Sequence, residues 1–220
     1  MSQTLPPYRI DVANDSMTVW ADEGGANNKV RWASLNALKT PTQVMHRVIA
    51  WTADGIDAPH LVIERGSLLE GADRTVGGAE GIGTMTLLPR ADLVIDRAYH
   101  EKYYGGAFDA IANECARRTT WRRYVPARLD SKPLLAHSIC YTFREDDPAE
   151  GAFFDKQAMA IARWWMNRVE NADAAAEDNN ALSKYDCRYR QGIIDDGDVS
   201  LVASMFGAEA ASIMVSMTLG

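Results

Sequence analysis

Apolar and polar positions alternate with period two at the start of the chain. Tyr8-Arg-Ile-Asp-Val12 is one such run, and Met17-Thr-Val-Trp-Ala21 follows an Asn14-Asp15 turn signal, which predicts a β-hairpin. Gly24-Gly25 with Asn27-Asn28 marks the next turn, and Val30-Arg-Trp32 reads as a third short strand. Leu61-Val-Ile-Glu64 and Met85-Thr-Leu-Leu88, the latter closed by Pro89, read as short strands. His137 to Phe143 is the clearest strand, with Ile139, Tyr141 and Phe143 on one face.

Between these runs the spacing turns helical. Thr40 as N-cap, Pro41 in the first turn and Gln43 completing a capping box predict a helix running to Asp54-Gly55. Its apolar positions would be Val44, Val48 and Trp51, with Met45 and Ile49 beside them. A second helix is predicted over Ala91 to Tyr104. A third runs from Ala107 past Cys115 toward Trp121, with Phe108, Ile111, Ala112 and Cys115 as its stripe and Val125-Pro126 as its stop. Asp147-Pro148-Ala149-Glu150 opens a long helix with Phe154, Met159, Ile161, Trp165 and Val169 as buried positions, continuing through Asn171 to Asn180. A last helix spans Ser200 to about Met217, gathering Leu201, Met205, Ala208 and Ser212, with Gly207 as its weak point. The fold class expected is α+β: a small, mostly antiparallel sheet in the first two-thirds packed with helices, a helical C-terminal third and one long glycine-rich loop. The organisation expected is an α+β domain over 1–146, with an extended loop at 65–84, and a helical region over 147–220 packing on it as one continuous unit.

That loop holds Gly66, Gly71, Gly77, Gly78, Gly81 and Gly83 with few large apolar groups. Freezing so many glycines is entropically costly, and loops of this length inside a domain are usually functional. It is read as a mobile docking segment. The last twenty residues, Leu201 to Gly220, carry one charge, Glu209. An apolar terminus must be covered, by its own domain or by a neighbour.

Composition narrows the classes. An apolar fraction of 47% and a charged fraction of 24% are those of a globular protein, and the net charge of -7 argues against wholesale nucleic-acid binding. Cys115, Cys140 and Cys187 form neither a disulfide framework nor a CxxC pair. The opening Met1 to Pro7 lacks the pattern of a signal peptide, so cytoplasmic synthesis is expected. The apolar C-terminal stretch approaches the length of a membrane span. Glu209 near its middle and its Ala, Ser, Gly and Met content favour a soluble chain with no membrane partner.

Motifs for chemistry are sparse. His100-Glu101 begins like a zinc-protease helix, but Tyr104 stands where the second histidine belongs. His46, His60, His100 and His137 are scattered, no GxSxG elbow is present, and Gly78-Ala-Glu-Gly81-Ile-Gly83 reverses the dinucleotide spacing. No catalytic residue, metal or cofactor is assigned. Acid–base chemistry by single carboxylates such as Glu64 and Glu145 stays open. Arg117, Arg118, Trp121, Arg122, Arg123 and Tyr124, followed by Arg128, form a patch suited to a helix end, an inter-subunit contact or phosphate binding. Trp164 and Trp165 are about 100° apart on a helix, so one lies at a core edge or interface. With Met205 and Met214 these residues make up the candidate interface.

In composition and layout the chain resembles small head-to-tail connector, adaptor or tail proteins of tailed bacteriophages, a likeness that covers no specific motif and carries over no residue. The function expected is therefore a non-enzymatic structural protein docking into a larger oligomeric complex, a virion component among them. Its partners would be other copies of itself and other assembly proteins, with nucleic acid less favoured. The alternative is a small cytoplasmic enzyme or nucleic-acid-binding protein whose arginine and aromatic patch contacts phosphates.

Overall fold

In a computed structural model, which describes residues 3–4, 8–12, 15–24, 28–41, 43–68, 80–124, 138–172, 179–195 and 197–220, nine strands join in one antiparallel sheet. They are β1 (Gln3–Thr4), β2 (Tyr8–Val12), β3 (Asp15–Gly24), β4 (Val30–Lys39), β5 (Gln43–Thr52), β6 (His60–Leu68), β7 (Glu80–Leu88), β8 (Arg122–Arg123) and β9 (Ile139–Arg144). Their order is β1-β3-β4-β5-β6-β7-β9-β8, with β2 also pairing with β3. The helices are α1 (Arg97–Tyr103), α2 (Ala107–Ala116), α3 (Pro148–Glu170), α4 (Asn179–Ile194), α5 (Gly197–Phe206) and α6 (Ala208–Leu219). The mixed α+β class stands, but the sheet is large rather than small, and helices begin well before the last third.

Both faces of this sheet are covered. Successive side chains on a strand point to opposite faces, and β7 shows the result. Leu87 packs with Leu61, Met85, Phe143 and helices α1 to α3, while Leu88 packs with Ile49, Trp51 and Tyr189 of α4. On the same face as Leu88, Met17, Val19 and Leu38 meet Val202 of α5 and Ala210, Ala211 and Met214 of α6. Sheets buried on both faces read as near-continuous apolar runs. That corrects the expected helix over 41–54. Val44, Val48 and Trp51 lie on β5, where Ile49 and Trp51 face α4 to α6 and the intervening positions face the other way. Thr40-Pro41, taken for a helix start, is the connection between β4 and β5.

Other boundaries move for local reasons. Asp92 Oδ1 accepts from the amides of Val94 and Ile95, forming a turn, and α1 starts only after its N-cap Asp96. The long helix opens at Pro148 as expected, with Asp147 as cap, but ends at Glu170, and Asn179 begins a separate helix. At Gly207 (φ +93°) the expected last helix divides into α5 and α6. Gly81 and Gly83 belong to β7 rather than to a loop. A Cβ at Gly83 would collide with the Phe154 ring, so this glycine lets α3 close on the sheet, and one at Gly81 would collide with Phe143 and Glu145 at the end of β9. Gly66 is in β6, whereas Gly71, Gly77 and Gly78 lie outside the described residues.

The apolar end is secured by the chain itself. Trp32 Nε1 donates to Met217 O at 2.8 Å, Trp51 Nε1 to Thr218 O at 2.9 Å, and Asn36 Nδ2 to Thr218 Oγ1 at 2.9 Å. The carbonyls of a last helical turn have no partner within the helix; here two indoles supply them. Helix α4 is fixed beside them by a buried network. Asp186 takes Arg90 bidentately (3.1 and 2.8 Å) and His60 Nε2 at 2.8 Å. Arg90 also donates to the carbonyls of Ala53 and Ile56.

His60 Nδ1 accepts from the amide of Thr52 at 3.0 Å, which leaves the ring proton on Nε2 for Asp186. Burial holds this imidazole below its ordinary range, against the pull of Asp186. Folded His60 thus refuses a proton that the unfolded chain accepts. Stability should be flat above about pH 6.5 and decline as the pH falls below it. Burial opposes ionisation of Asp186, yet His60 and Arg90 hold its carboxyl below the usual range, so its own contribution is lost only below about pH 4. Urea midpoints measured against pH should show the first decline in the natural protein and a weaker one in His60→Gln.

Candidate functional site

Strand register brings polar side chains together on the face that meets α4 to α6. Asn36, Arg47, Glu64, Thr84 and Cys140 are successive partners across β4, β5, β6, β7 and β9. The adjacent row runs Ser34, Ile49, Val62, Thr86, Ser138. All of the polar members except Glu64 are buried. An interior sheet face usually carries apolar groups, because a buried polar group needs a hydrogen-bond partner. Part of this set has one: Arg47 pairs with Glu64, Thr84 Oγ1 meets Cys140 Sγ at 3.1 Å, and Thr86 donates to Ser138 at 2.7 Å. Two members do not. Asn36 Oδ1 and Ser34 Oγ are among the four buried polar side-chain atoms without a partner in the described residues.

Against this floor lies a small cavity of about 20 Å³, partly open to solvent. Asn36, Ala37, Leu38, Met45 and Arg47 form its base, with Met17 beside them and Val202 and Met214 closing it from α5 and α6. Apolar walls around a few convergent polar groups are the usual make-up of a small-molecule site. The electrostatics are local. Glu64 is half-buried, with side-chain exposure of 26%, and Arg47 is at 10%, so their attraction is little screened by water. Burial, with Glu64 nearby, pushes the Cys140 thiol up to about 11, so it is a neutral group of the floor rather than a nucleophile. Among the described residues no cluster of three His, Cys, Asp or Glu side chains is arranged to hold a metal.

The residues singled out from sequence are mostly elsewhere. Arg118 donates to Glu150 at 2.9 Å and lies 4.3 Å over the Phe153 ring, and Trp121 Nε1 donates to the same Glu150 at 2.6 Å. Arg118 holds the Glu150 carboxyl below its ordinary range, with Thr120 and Trp121 assisting against burial. Arg117 is exposed, as are Arg122, Arg123 and Tyr124 at and just beyond edge strand β8, and Arg128 lies outside the described residues. Trp165 is buried and donates to Pro59 O at 2.7 Å; Trp164 is half-buried near Phe108. Met205 is half-buried on α5, and Met214 alone of this group lines the cavity. His46 and His100 are exposed, His60 is buried in its network, and His137 is outside the described residues. Glu145, the other carboxylate left open for acid–base work, pairs with Arg65 on the opposite face. Asn36, Arg47 and Ser34 carried no signal in the sequence, because their meeting depends on register between strands.

No family model and no curated protein matches the chain. Its fold is similar to that of phytochromobilin synthase from tomato, whose crystal structure was solved in complex with biliverdin. The TM-score is 0.72 over 100% of this chain and 76% of that one, at 12% identity. The likeness is one of fold. It overturns the expectation of a non-enzymatic connector, adaptor or tail protein of a bacteriophage, since the architecture is one that an enzyme uses. The physical ground for that expectation also falls, because the apolar terminus is covered by Trp32, Trp51 and Asn36 of the same chain. Among the described residues no helix is long and apolar enough to cross a membrane.

Removing one member of the Arg47–Glu64 pair strands the other. Arg47→Met should destabilise the fold by about 1–3 kcal/mol in urea titrations, and the double variant Arg47→Met/Glu64→Leu should regain much of the loss. A double-variant loss equal to the sum of the losses in Arg47→Met and Glu64→Leu would show that the pair carries no coupling.

Proposed function

We propose that this protein is an enzyme acting on a linear tetrapyrrole of the biliverdin type, bound between the polar floor of the sheet and helices α5 and α6. The observation that carries the reading is the polar row Asn36–Arg47–Glu64 under an apolar roof, in a fold shared over the whole of this chain with an enzyme solved with biliverdin. Such a ligand is an extended conjugated body with N–H and carbonyl groups along its centre. It needs apolar walls for its rings and a few placed donors and acceptors for its polar atoms. At about 20 Å³ the cavity is far smaller than a ligand site, so a tetrapyrrole would enter only with α5 and α6 displaced from the floor, running along it toward β9.

Three neighbouring strands supply acceptor, donor and acceptor in turn: Asn36, Arg47 and Glu64. Strands are spaced by about 4.8 Å, so this set spans about 10 Å, enough to contact more than one ring. A Glu64 carboxylate beside the ring nitrogens would favour a protonated, cationic tetrapyrrole, and its pairing with Arg47 holds it in place before the ligand arrives. The carboxylate is thereby placed to exchange a proton with a ring nitrogen.

Titration with biliverdin, followed by its visible absorption, should give a saturable one-site change. Glu64→Gln should still bind, but the pH at which the bound chromophore protonates should fall by about 1 pH unit. Linear, non-saturating absorbance in the natural protein would refute the reading.

A further inference from the structure

Asn36 lies in the middle of β4 and is 9% exposed, with its two amide atoms in unlike situations. Nδ2 donates to Thr218 Oγ1 of α6 at 2.9 Å, while Oδ1 is buried with no partner. A threonine within a helix commonly gives its own proton to a backbone carbonyl one turn back. Its oxygen is then free to accept, which fixes the amide with nitrogen toward the helix and leaves the oxygen as the unpartnered atom of a residue that lines the cavity. Ser34 Oγ, two residues along on the same face, is a second unpartnered buried atom, about 7 Å away. Leaving a buried acceptor unsatisfied costs about 1–3 kcal/mol. The neighbouring guanidinium offers no relief, since Arg47 is turned to Glu64. The other lining groups, Met17, Leu38, Met45, Val202 and Met214, are apolar.

An acceptor that stands ready inside apolar walls selects a ligand atom that is an N–H donor within an apolar body. It repels a carboxylate, which can only accept. We infer that Asn36 is a positioning and specificity residue that accepts a hydrogen bond from a pyrrole or lactam N–H of the bound tetrapyrrole, with its amide locked by Thr218. This rests on the tetrapyrrole reading and adds to it. The N–H-bearing core of the ligand lies over β4, and its propionates lie away from it.

The test compares biliverdin with its dimethyl ester, in which both propionates are blocked, on the natural protein, Asn36→Leu, Asn36→Asp and Thr218→Val. Asn36→Leu should weaken both ligands by the same factor, about tenfold, since the lost bond is to an N–H present in each. Asn36→Asp keeps an acceptor in place. It should bind within about threefold of the natural protein and raise the pH at which the bound chromophore protonates, a readout that a merely structural role would leave unmoved. Thr218→Val frees the amide to rotate and should weaken binding by about threefold. If the natural protein binds biliverdin and Asn36→Leu binds it equally well, the role of Asn36 is overturned while the tetrapyrrole reading stands. Weakening confined to the acid form would place a propionate at Asn36 and overturn it as well. Failure of the natural protein to bind either ligand removes the tetrapyrrole reading and this inference with it.

Discussion

Two indole N–H groups, those of Trp32 and Trp51, hold the last carbonyls of α6 against the middle of the sheet. Each such hydrogen bond contributes only about 0.5–1.5 kcal/mol net, but the carbonyls would otherwise be orphaned in an apolar interior. Helix α6 carries Met214, and through its packing with α5 it also sets Val202. The position of the roof over the floor, and so the existence of the cavity, follows from this one attachment. Asn36 joins the same attachment through Thr218, which makes a candidate ligand contact and a structural latch parts of one hydrogen-bonded group.

The two faces of the sheet are built on different chemistry. Toward α1, α2 and α3 the core is apolar and aromatic, with Trp121, Phe143 and Phe154 in ring contact. Toward α4, α5 and α6, apolar patches at either end flank a polar middle. A fold does not retain a partly unsatisfied polar stretch for stability, since apolar side chains would serve better there. Groups of that kind collect where a protein binds or reacts. The Arg90–Asp186–His60 network shows the contrast, with its charges closed on one another and its task confined to seating α4.

Much of the fold was legible locally. Strands with one polar face, such as Tyr8–Val12, and helices with a clear cap, such as the one opening at Asp147, follow from patterns a few residues long. β5 was misread because both of its faces are buried, which removes the alternation that marks a strand, while Thr40-Pro41 imitates a helix start. The glycine run misled in the same way: Gly83 is required by the Phe154 ring arriving from α3 and Gly81 by Phe143 on β9, contacts absent from any window of sequence. Glu64 stood out only as one carboxylate among many. Asn36 and Arg47 could not be found at all, because the row they form is set by register across strands. The apolar terminus was correctly read as needing cover. What sequence could not show is that Trp32 and Trp51, more than 160 residues earlier, supply it.

The most direct measurement is a crystal structure of the protein with biliverdin bound. The account predicts the tetrapyrrole on the second face, between β4 to β6 and helices α5 and α6, with a ring N–H within hydrogen-bonding distance of Asn36 Oδ1 and Glu64 beside the ring nitrogens. A ligand seated on the opposite face against α3, or held at the surface while the floor stays unfilled, would contradict it.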